Sequence, residues 1–121
     1  MASSEEGQVI GCHTVDEFKH QMQKGTESKK LVVIDFTATW CGPCRLITPV
    51  LAELAKEIPH VIFLKVDVDE LRSVSEDFAV EAMPTFVFIK DGNTIDRVVG
   101  APKKDALEKK IIFHSTSTAT A

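Results

Sequence analysis

Two cysteines separated by two residues, Cys41 and Cys44, are the feature that most constrains the fold and chemistry of this chain. They follow an apolar run, residues 31–36, that is typical of a strand buried on both faces. They precede residues 45–57, whose apolar spacing predicts a helix. The pair therefore lies where a strand ends and a helix begins, beside the free N–H groups and positive dipole end of the first helical turn.

That position favours a thiolate on Cys41, and the thiolate is the attacking species in disulfide exchange. A free cysteine with a pKa near 8.5 is only about 3% ionised at pH 7, and lowering the pKa by about 1.5 units makes it roughly half ionised. Cys44 shares a helix face with Cys41, so a disulfide between them can close without unfolding the helix. Pro43 is compatible with the first turn because N–H groups there have no helical partner.

The alternative for such a cysteine pair is half of a zinc site. Tetrahedral zinc needs three or four protein ligands, and the only other cysteine is Cys12. The histidines show no ligand spacing near the pair; they are His13, His20, His60 and His114. The sequence therefore favours redox exchange and predicts no bound metal. Cys12 itself is expected to be a small buried hydrophobe, with an exposed, modifiable thiol as the alternative.

Length and composition indicate a single globular domain. A chain of 121 residues with 44% hydrophobic residues can bury a core without disulfide staples. The net charge of −4, without a basic face, argues against nucleic acid and anionic membranes as partners. Residues 1–6 lack the basic and apolar regions of a signal peptide, and their acidity argues against an organelle transit peptide. The expected location is the cytosol.

The pattern along the chain predicts an α/β domain. Strands are predicted at residues 8–12, 30–37, 61–66, 85–90 and 94–99, and helices at residues 14–24, 41–57, 70–78 and 103–113. A capping box begins the first helix at Thr14, residues 25–28 are a predicted turn, and Pro49 is expected to kink the second helix. Residues 91–93 join the last two strands as a hairpin. The fold class that follows is a mixed five-stranded β-sheet with helices on both faces.

The motifs together resemble the thioredoxin family. Its active-site signature, WCGPC after VIDF, occupies residues 33–36 and 40–44, and the resemblance continues at residues 65–69, 83–86 and 98–101. Residues 5–13 and 36–38 are similar to the cytosolic h-type thioredoxins of plants. The resemblance implies a thioredoxin fold with four α-helices. The resemblance covers residues 8–113 as a thioredoxin domain, and the composition of the flanking residues predicts a flexible lead (residues 1–7) and a polar, flexible tail (residues 114–121).

The resemblance also assigns roles to charged residues near the cysteines. Asp35 stands inside the apolar run, where burial would raise its pKa toward neutrality. In the family the corresponding carboxylate serves as the acid/base for the second cysteine, here Cys44, with the matching lysine, Lys65, in support. The alternatives are an ordinary strand-end carboxylate for Asp35 and a surface lysine for Lys65.

The resemblance also implies a surface around Cys41 on which substrate proteins dock. The resemblance places Trp40, Gly42, Pro43, Met83, Pro84 and Gly100 in a flat apolar patch. It implies a cis bond between Met83 and Pro84, lying against the disulfide, and a grip on extended substrate through the backbone of Met83. Trp40 is expected to be partly exposed, and the missing side chain of Gly100 would let a partner approach closely.

The function that the resemblance implies is reduction of disulfides in proteins. Such an enzyme would take part in electron transport and cell redox homeostasis. Cys41 acts as nucleophile and Cys44 as resolving cysteine, cycling through a redox-active Cys41–Cys44 disulfide. No cofactor is expected to be bound; electrons would come from NADPH through thioredoxin reductase. The partners would be that reductase and disulfide-containing targets. A monomer is expected, with a dimer through Cys12 as the alternative. The competing function is a non-catalytic holdase that uses the apolar patch.

Overall fold

The computed structural model describes residues 5–116, which form nine elements around one sheet. In chain order they are β1 (Val9–Cys12), α1 (Val15–Ser28), β2 (Val32–Thr37), α2 (Gly42–Glu57), β3 (Ile62–Asp67), α3 (Arg72–Asp77), β4 (Thr85–Lys90), β5 (Asn93–Val99) and α4 (Lys104–Thr116). Residues 1–4 and 117–121, parts of the predicted lead and tail, lie outside the described residues. No helix between residues 5 and 116 has both the length and the apolar content needed to cross a membrane.

The sheet has the strand order β1-β3-β2-β4-β5. Strands β1, β3 and β2 run parallel, and β4 and β5 are antiparallel to their neighbours. The predicted mixed five-stranded sheet with four flanking helices is confirmed over the described residues. Strand β2 is central and parallel to β3. In such folds active sites lie just beyond the carboxyl ends of the parallel strands, and the cysteines follow the carboxyl end of β2.

Side-chain alternation along β2 divides the core into two layers. Val33 packs on one face with residues of α2 and α4, including Leu51 and Ile111. Ile34 lies on the opposite face with residues of α1 and α3, including Phe18. By the same alternation Asp35 belongs to the face of Val33, beneath α2.

The hairpin between β4 and β5 has a two-residue loop, Asp91–Gly92, because Lys90 pairs with Asn93. Both loop residues have positive φ, 52° and 79°. A loop with positive φ at both positions matches the right-handed twist of the flanking strands. The predicted hairpin is confirmed, with β5 beginning one residue earlier than expected.

The predicted turn at residues 25–28 is wrong, because α1 continues through Ser28. The helix ends instead at Lys29, a left-handed residue with φ of 58°. Gly25 faces β2, and a Cβ atom there would lie 2.4 Å from Val32 Cγ2. This glycine therefore permits close packing of the helix on the sheet rather than a change of chain direction.

The last helix is also longer than predicted. It ends at Thr116 rather than at residue 113, so the first residues assigned to a flexible tail are helical. His114 Nε2 lies 2.8 Å from Asp96 Oδ2, and Lys90 Nζ donates to the His114 carbonyl at 3.1 Å. These contacts with the hairpin account for the additional turn. At the N-terminal end of the described residues, Glu5 accepts hydrogen bonds from Gln21 and Lys24 of α1.

Candidate active site

Both cysteines lie at the N-terminus of α2. Cys41 is the N-cap residue with extended backbone, and Cys44 is in the first turn. A disulfide joins them, with Cα atoms 5.3 Å apart, within the usual range. The Cys44 N–H donates to Cys41 Sγ at 3.2 Å. The sulfur thus occupies the place of a capping oxygen, where a helix N-terminus stabilises negative charge once the disulfide opens.

The cysteine pair is packed in a small apolar cluster. Cys41 is 5% exposed and Cys44 is 1% exposed. Ala38 completes the buried part of this cluster, and Val68 and Met83 pack against it. Cys41 is the more exposed of the two cysteines, and Cys44 is enclosed. Of the two residues, Cys41 is therefore the one nearer to the surface of the protein.

The segment before β4 forms one side of the site. The Met83–Pro84 bond is cis, as the resemblance implied. The Met83 carbonyl oxygen lies 3.5 Å from Cys41 Sγ, and the Gly100 N–H donates to the Pro84 carbonyl at 2.8 Å. These contacts bring residues 83, 84 and 100 together beside Cys41. The Pro84 side chain is buried, however, so it supports the predicted apolar patch from beneath instead of forming its surface.

Gly100 has a backbone requirement that sequence reasoning did not identify. Its φ is +97°, a conformation that other residues adopt only with strain. Apart from Gly100 and its two chain neighbours, no heavy atom of the described residues lies within 4 Å of the position where a Cβ would stand. The glycine is therefore required by the turn out of β5, and the open space above it is also compatible with close approach by a partner.

Trp40 is on the surface immediately before Cys41. The indole is 63% exposed, so the predicted exposure is confirmed. Its Nε1–H donates to Asp69 Oδ2 at 2.9 Å. Gly42 and Pro43 are exposed beside it, and Val99 is exposed before Gly100. Together with the half-buried Met83 they form an apolar surface next to Cys41.

Asp35 is almost fully buried, at 1% exposure, and its Oδ1 has no hydrogen-bond partner in the structure. Lys65 is its neighbour across the β2–β3 ladder. Burial raises the pKa of Asp35 to about 7, although the positive charge of Lys65 acts in the opposite direction. The predicted burial is confirmed, and it is the cause of the raised pKa. The proton-transfer role of Asp35 stays a prediction.

A cleft of about 850 Å³ reaches Cys44 from the side of β1 and β3. Cys44 and Lys65 both line it, together with Thr48 of α2 and Asp67 of β3. Thr48 Oγ1–H donates to the Cys44 carbonyl at 2.9 Å. The cleft therefore brings polar and charged side chains close to Cys44, although Cys44 itself is only 1% exposed.

Cys12 also lines this cleft but is only 1% exposed. Burial, together with the charges of Glu17 and Glu5, raises the pKa of its thiol to about 11. Such a thiol is protonated and shielded at neutral pH, as expected for a small buried hydrophobe. Among residues 5–116, no three His, Cys, Asp or Glu side chains are grouped to hold a metal ion, so the zinc alternative gains no support.

Asp69 is the residue of this site that sequence reasoning missed. Its contact with Trp40 joins positions 29 apart in the chain. The only local signal was the sequence Asp67-Val68-Asp69-Glu70, which is typical of a turn stabilised by an aspartate side chain. That signal identifies the turn but not the side chain that the turn presents to another element.

Comparison with known proteins gives a consistent result. The family model described as Thioredoxin matches residues 9–112. Thioredoxin H-type 1 of Nicotiana tabacum is 65% identical over 120 residues, covering 98% of this chain and 94% of that protein. Thioredoxin H1 of Arabidopsis thaliana is 62% identical over 112 residues, covering 93% and 97%. The crystal structure of thioredoxin NaTrxh from Nicotiana alata superimposes with a TM-score of 0.85 at 45% identity, covering 95% of this chain and 99% of that one.

Proposed function

This chain belongs to the thioredoxin family and is a thiol–disulfide oxidoreductase, and we propose that its Cys41–Cys44 pair reduces disulfides in other proteins. The observation that carries the proposal is the position of Cys41 Sγ. It accepts the Cys44 N–H at a helix N-terminus and belongs to the less buried of the two cysteines. A thiolate is stabilised there and can attack.

The reaction has two exchange steps. The Cys41 thiolate attacks one sulfur of the target disulfide, forms a mixed disulfide and releases the other target sulfur as a thiolate. Cys44, deprotonated, then attacks Cys41 Sγ and releases the second target thiolate. Two electrons pass from the dithiol to the target, and the Cys41–Cys44 disulfide remains.

Asp35 is the proposed proton acceptor for Cys44 in the second step. A buried carboxylate with a pKa of about 7 takes and returns a proton near neutral pH at little cost. Lys65, which lines the cleft with Cys44, is the proposed supporting charge. A water molecule between the carboxylate and the thiol would carry the proton.

The proposed docking surface comprises Trp40, Gly42, Pro43, Met83 and Gly100, with Pro84 beneath it. Met83 presents a backbone oxygen 3.5 Å from Cys41 Sγ, close enough for its backbone to pair with an extended target segment. Such pairing would hold the target disulfide beside the nucleophile.

The proposed partners are an NADPH-dependent thioredoxin reductase, which would return the pair to the dithiol, and disulfide-containing proteins. The protein would take part in electron transport and redox homeostasis in the cytosol, where a dithiol is kept reduced. We propose that it binds no cofactor and acts as a monomer. Burial of Cys12 supports the monomer, because its thiol reaches a second copy only after local opening.

Covalent trapping tests the order of attack. Cys44→Ser is expected to accumulate disulfide-linked complexes with target proteins on non-reducing gels, because the mixed disulfide then has no resolving thiol. Cys41→Ser is expected to trap none, and both variants should fail to reduce insulin with dithiothreitol as electron donor. Equal trapping by the two variants would contradict the assignment. A function of the protein that persists when either cysteine is replaced would support the non-catalytic holdase alternative.

A further inference from the structure

The indole of Trp40 is exposed to solvent but is held by a hydrogen bond. Although 63% of the residue is accessible to solvent, the one polar atom of the ring donates to the Asp69 carboxylate at 2.9 Å. An exposed aromatic side chain ordinarily samples several rotamers. Here a charged acceptor selects one orientation of the ring beside Cys41.

Asp69 is itself held in place by its own turn. Asp67 Oδ1 accepts the N–H groups of Asp69 at 2.8 Å and of Glu70 at 3.2 Å. The Val68 N–H donates to the Thr37 carbonyl at 2.9 Å, which ties the same turn to the end of β2. The acceptor of the indole thus lies on a turn that these three hydrogen bonds hold in place.

We propose that Asp69 is a positioning residue that holds the Trp40 indole in a preformed orientation as one wall of the docking surface. The inference rests on the proposed function. Immobilising a side chain during association opposes binding, and a wall that is already ordered removes that cost. The Asp69 side chain bonds Trp40 but also lines the cleft that reaches Cys44, so the test separates an effect on docking from an effect on the exchange chemistry.

Kinetics with two substrates test this role. Asp69→Ala is expected to raise the insulin concentration needed for half-maximal rate about threefold to tenfold, with the maximal rate unchanged. Its rate with 5,5′-dithiobis(2-nitrobenzoate), a disulfide too small to need the wall, should equal that of the parent protein. Asp69→Asn keeps an acceptor oxygen and should restore most of the docking.

Glu70→Ala is the matched control, since it removes one negative charge from the same turn without a contact to Trp40. It should behave as the parent protein with both substrates.

The chain contains a single tryptophan, so the fluorescence anisotropy decay reports Trp40 alone. Asp69→Ala should add a fast component of large amplitude, and Asp69→Asn and Glu70→Ala should not.

Three results would overturn the proposal. The first is unchanged insulin kinetics in Asp69→Ala. The second is an equal effect of Glu70→Ala, which would assign the effect to charge. The third is an equal loss with the small disulfide, which would assign it to the exchange site itself. A parent protein unable to reduce insulin would instead refute the proposed function, so the two failures are distinguishable.

Discussion

Two aspartates at different ends of the fold have opposite environments. Asp35 is buried beneath α2 with one carboxylate oxygen unpaired, and burial raises its pKa to about 7. Asp96 on β5 is half-buried; burial alone would raise its pKa, but hydrogen bonds from Lys110 and His114 lower it to about 2. Lys110 Nζ and His114 Nε2 lie 2.7 and 2.8 Å from the same oxygen.

The difference separates a carboxylate that stabilises the fold from one that costs stability. Asp96 joins α4 to the hairpin and gains favourable partners on folding. Asp35 loses its hydration without gaining a full set of partners, which disfavours its charged form. A residue that opposes folding at neutral pH, at the end of the sheet where the cysteines lie, is expected to have a role in the reaction.

The largest expected effect is on the reaction. Asp35→Ala should slow resolution of the mixed disulfide about 10-fold to 100-fold near pH 7, because Cys44 loses its proton acceptor. The measurement is the rate of insulin reduction with dithiothreitol, together with the lifetime of the mixed disulfide. The control is Asp96→Ala, which removes a carboxylate remote from the cysteines. This variant should retain the rate of the parent protein. A rate for Asp35→Ala within twofold of the parent would contradict the acid/base role.

The second effect is on stability, and its sign follows from the raised pKa. Below the unfolded value near 3.8 both states carry the proton and Asp35 has no effect. As pH rises from about 4 to about 7 the unfolded state ionises first, so stability is lost and stays lost above this window. The penalty at pH 7 is on the order of a few kcal/mol.

Asp35→Ala should therefore increase the free energy of unfolding near pH 7 by about 1–3 kcal/mol, after allowing for the cavity it leaves. The gain should be smaller at pH 4, where the parent protein carries no ionic penalty. Urea unfolding at the two pH values provides the measurement. A variant less stable than the parent at pH 7 would identify Asp35 as an ordinary structural carboxylate.

The smallest effect is expected at Asp96, in the opposite direction. Asp96→Asn should decrease the free energy of unfolding by about 1 kcal/mol at pH 7, since its partly exposed ion pairs are screened by solvent. The contribution of Asp96 is present above the unfolded pKa near 3.8 and is lost as pH falls toward 2. The parent and variant curves should converge in that acid range. A constant difference between them down to pH 2 would argue against the ion pairs.

The cysteine site, the hairpin and the unusual carboxylate could be predicted from the sequence because a local pattern determines each of them. The cysteine pair between an apolar run and a helical pattern located the site, and the glycine-containing turn of residues 91–93 located the hairpin. Asp35 was identified because a charged residue inside an apolar run breaks the local pattern. In each case the determining interactions lie within a few residues of the chain.

The remaining features depend on contacts between distant segments. Gly25 was taken for a turn residue because glycine is typical of turns, and only the approach of Val32 shows why it is in a helix. The last turn of α4 depends on Asp96, and the orientation of Trp40 depends on Asp69. No local pattern encodes such pairings, because they are created when the elements pack together.

The most direct test of the role of Asp35 is its pKa, measured by carboxyl ¹³C NMR in the disulfide form, where neither Cys41 nor Cys44 titrates. Asp96 in the same spectra serves as the internal reference. Asp35 is expected to titrate near 7 and Asp96 near 2. A titration of Asp35 near 4, the ordinary value for an aspartate, would contradict the claim that this buried carboxylate is kept protonatable at neutral pH to serve Cys44.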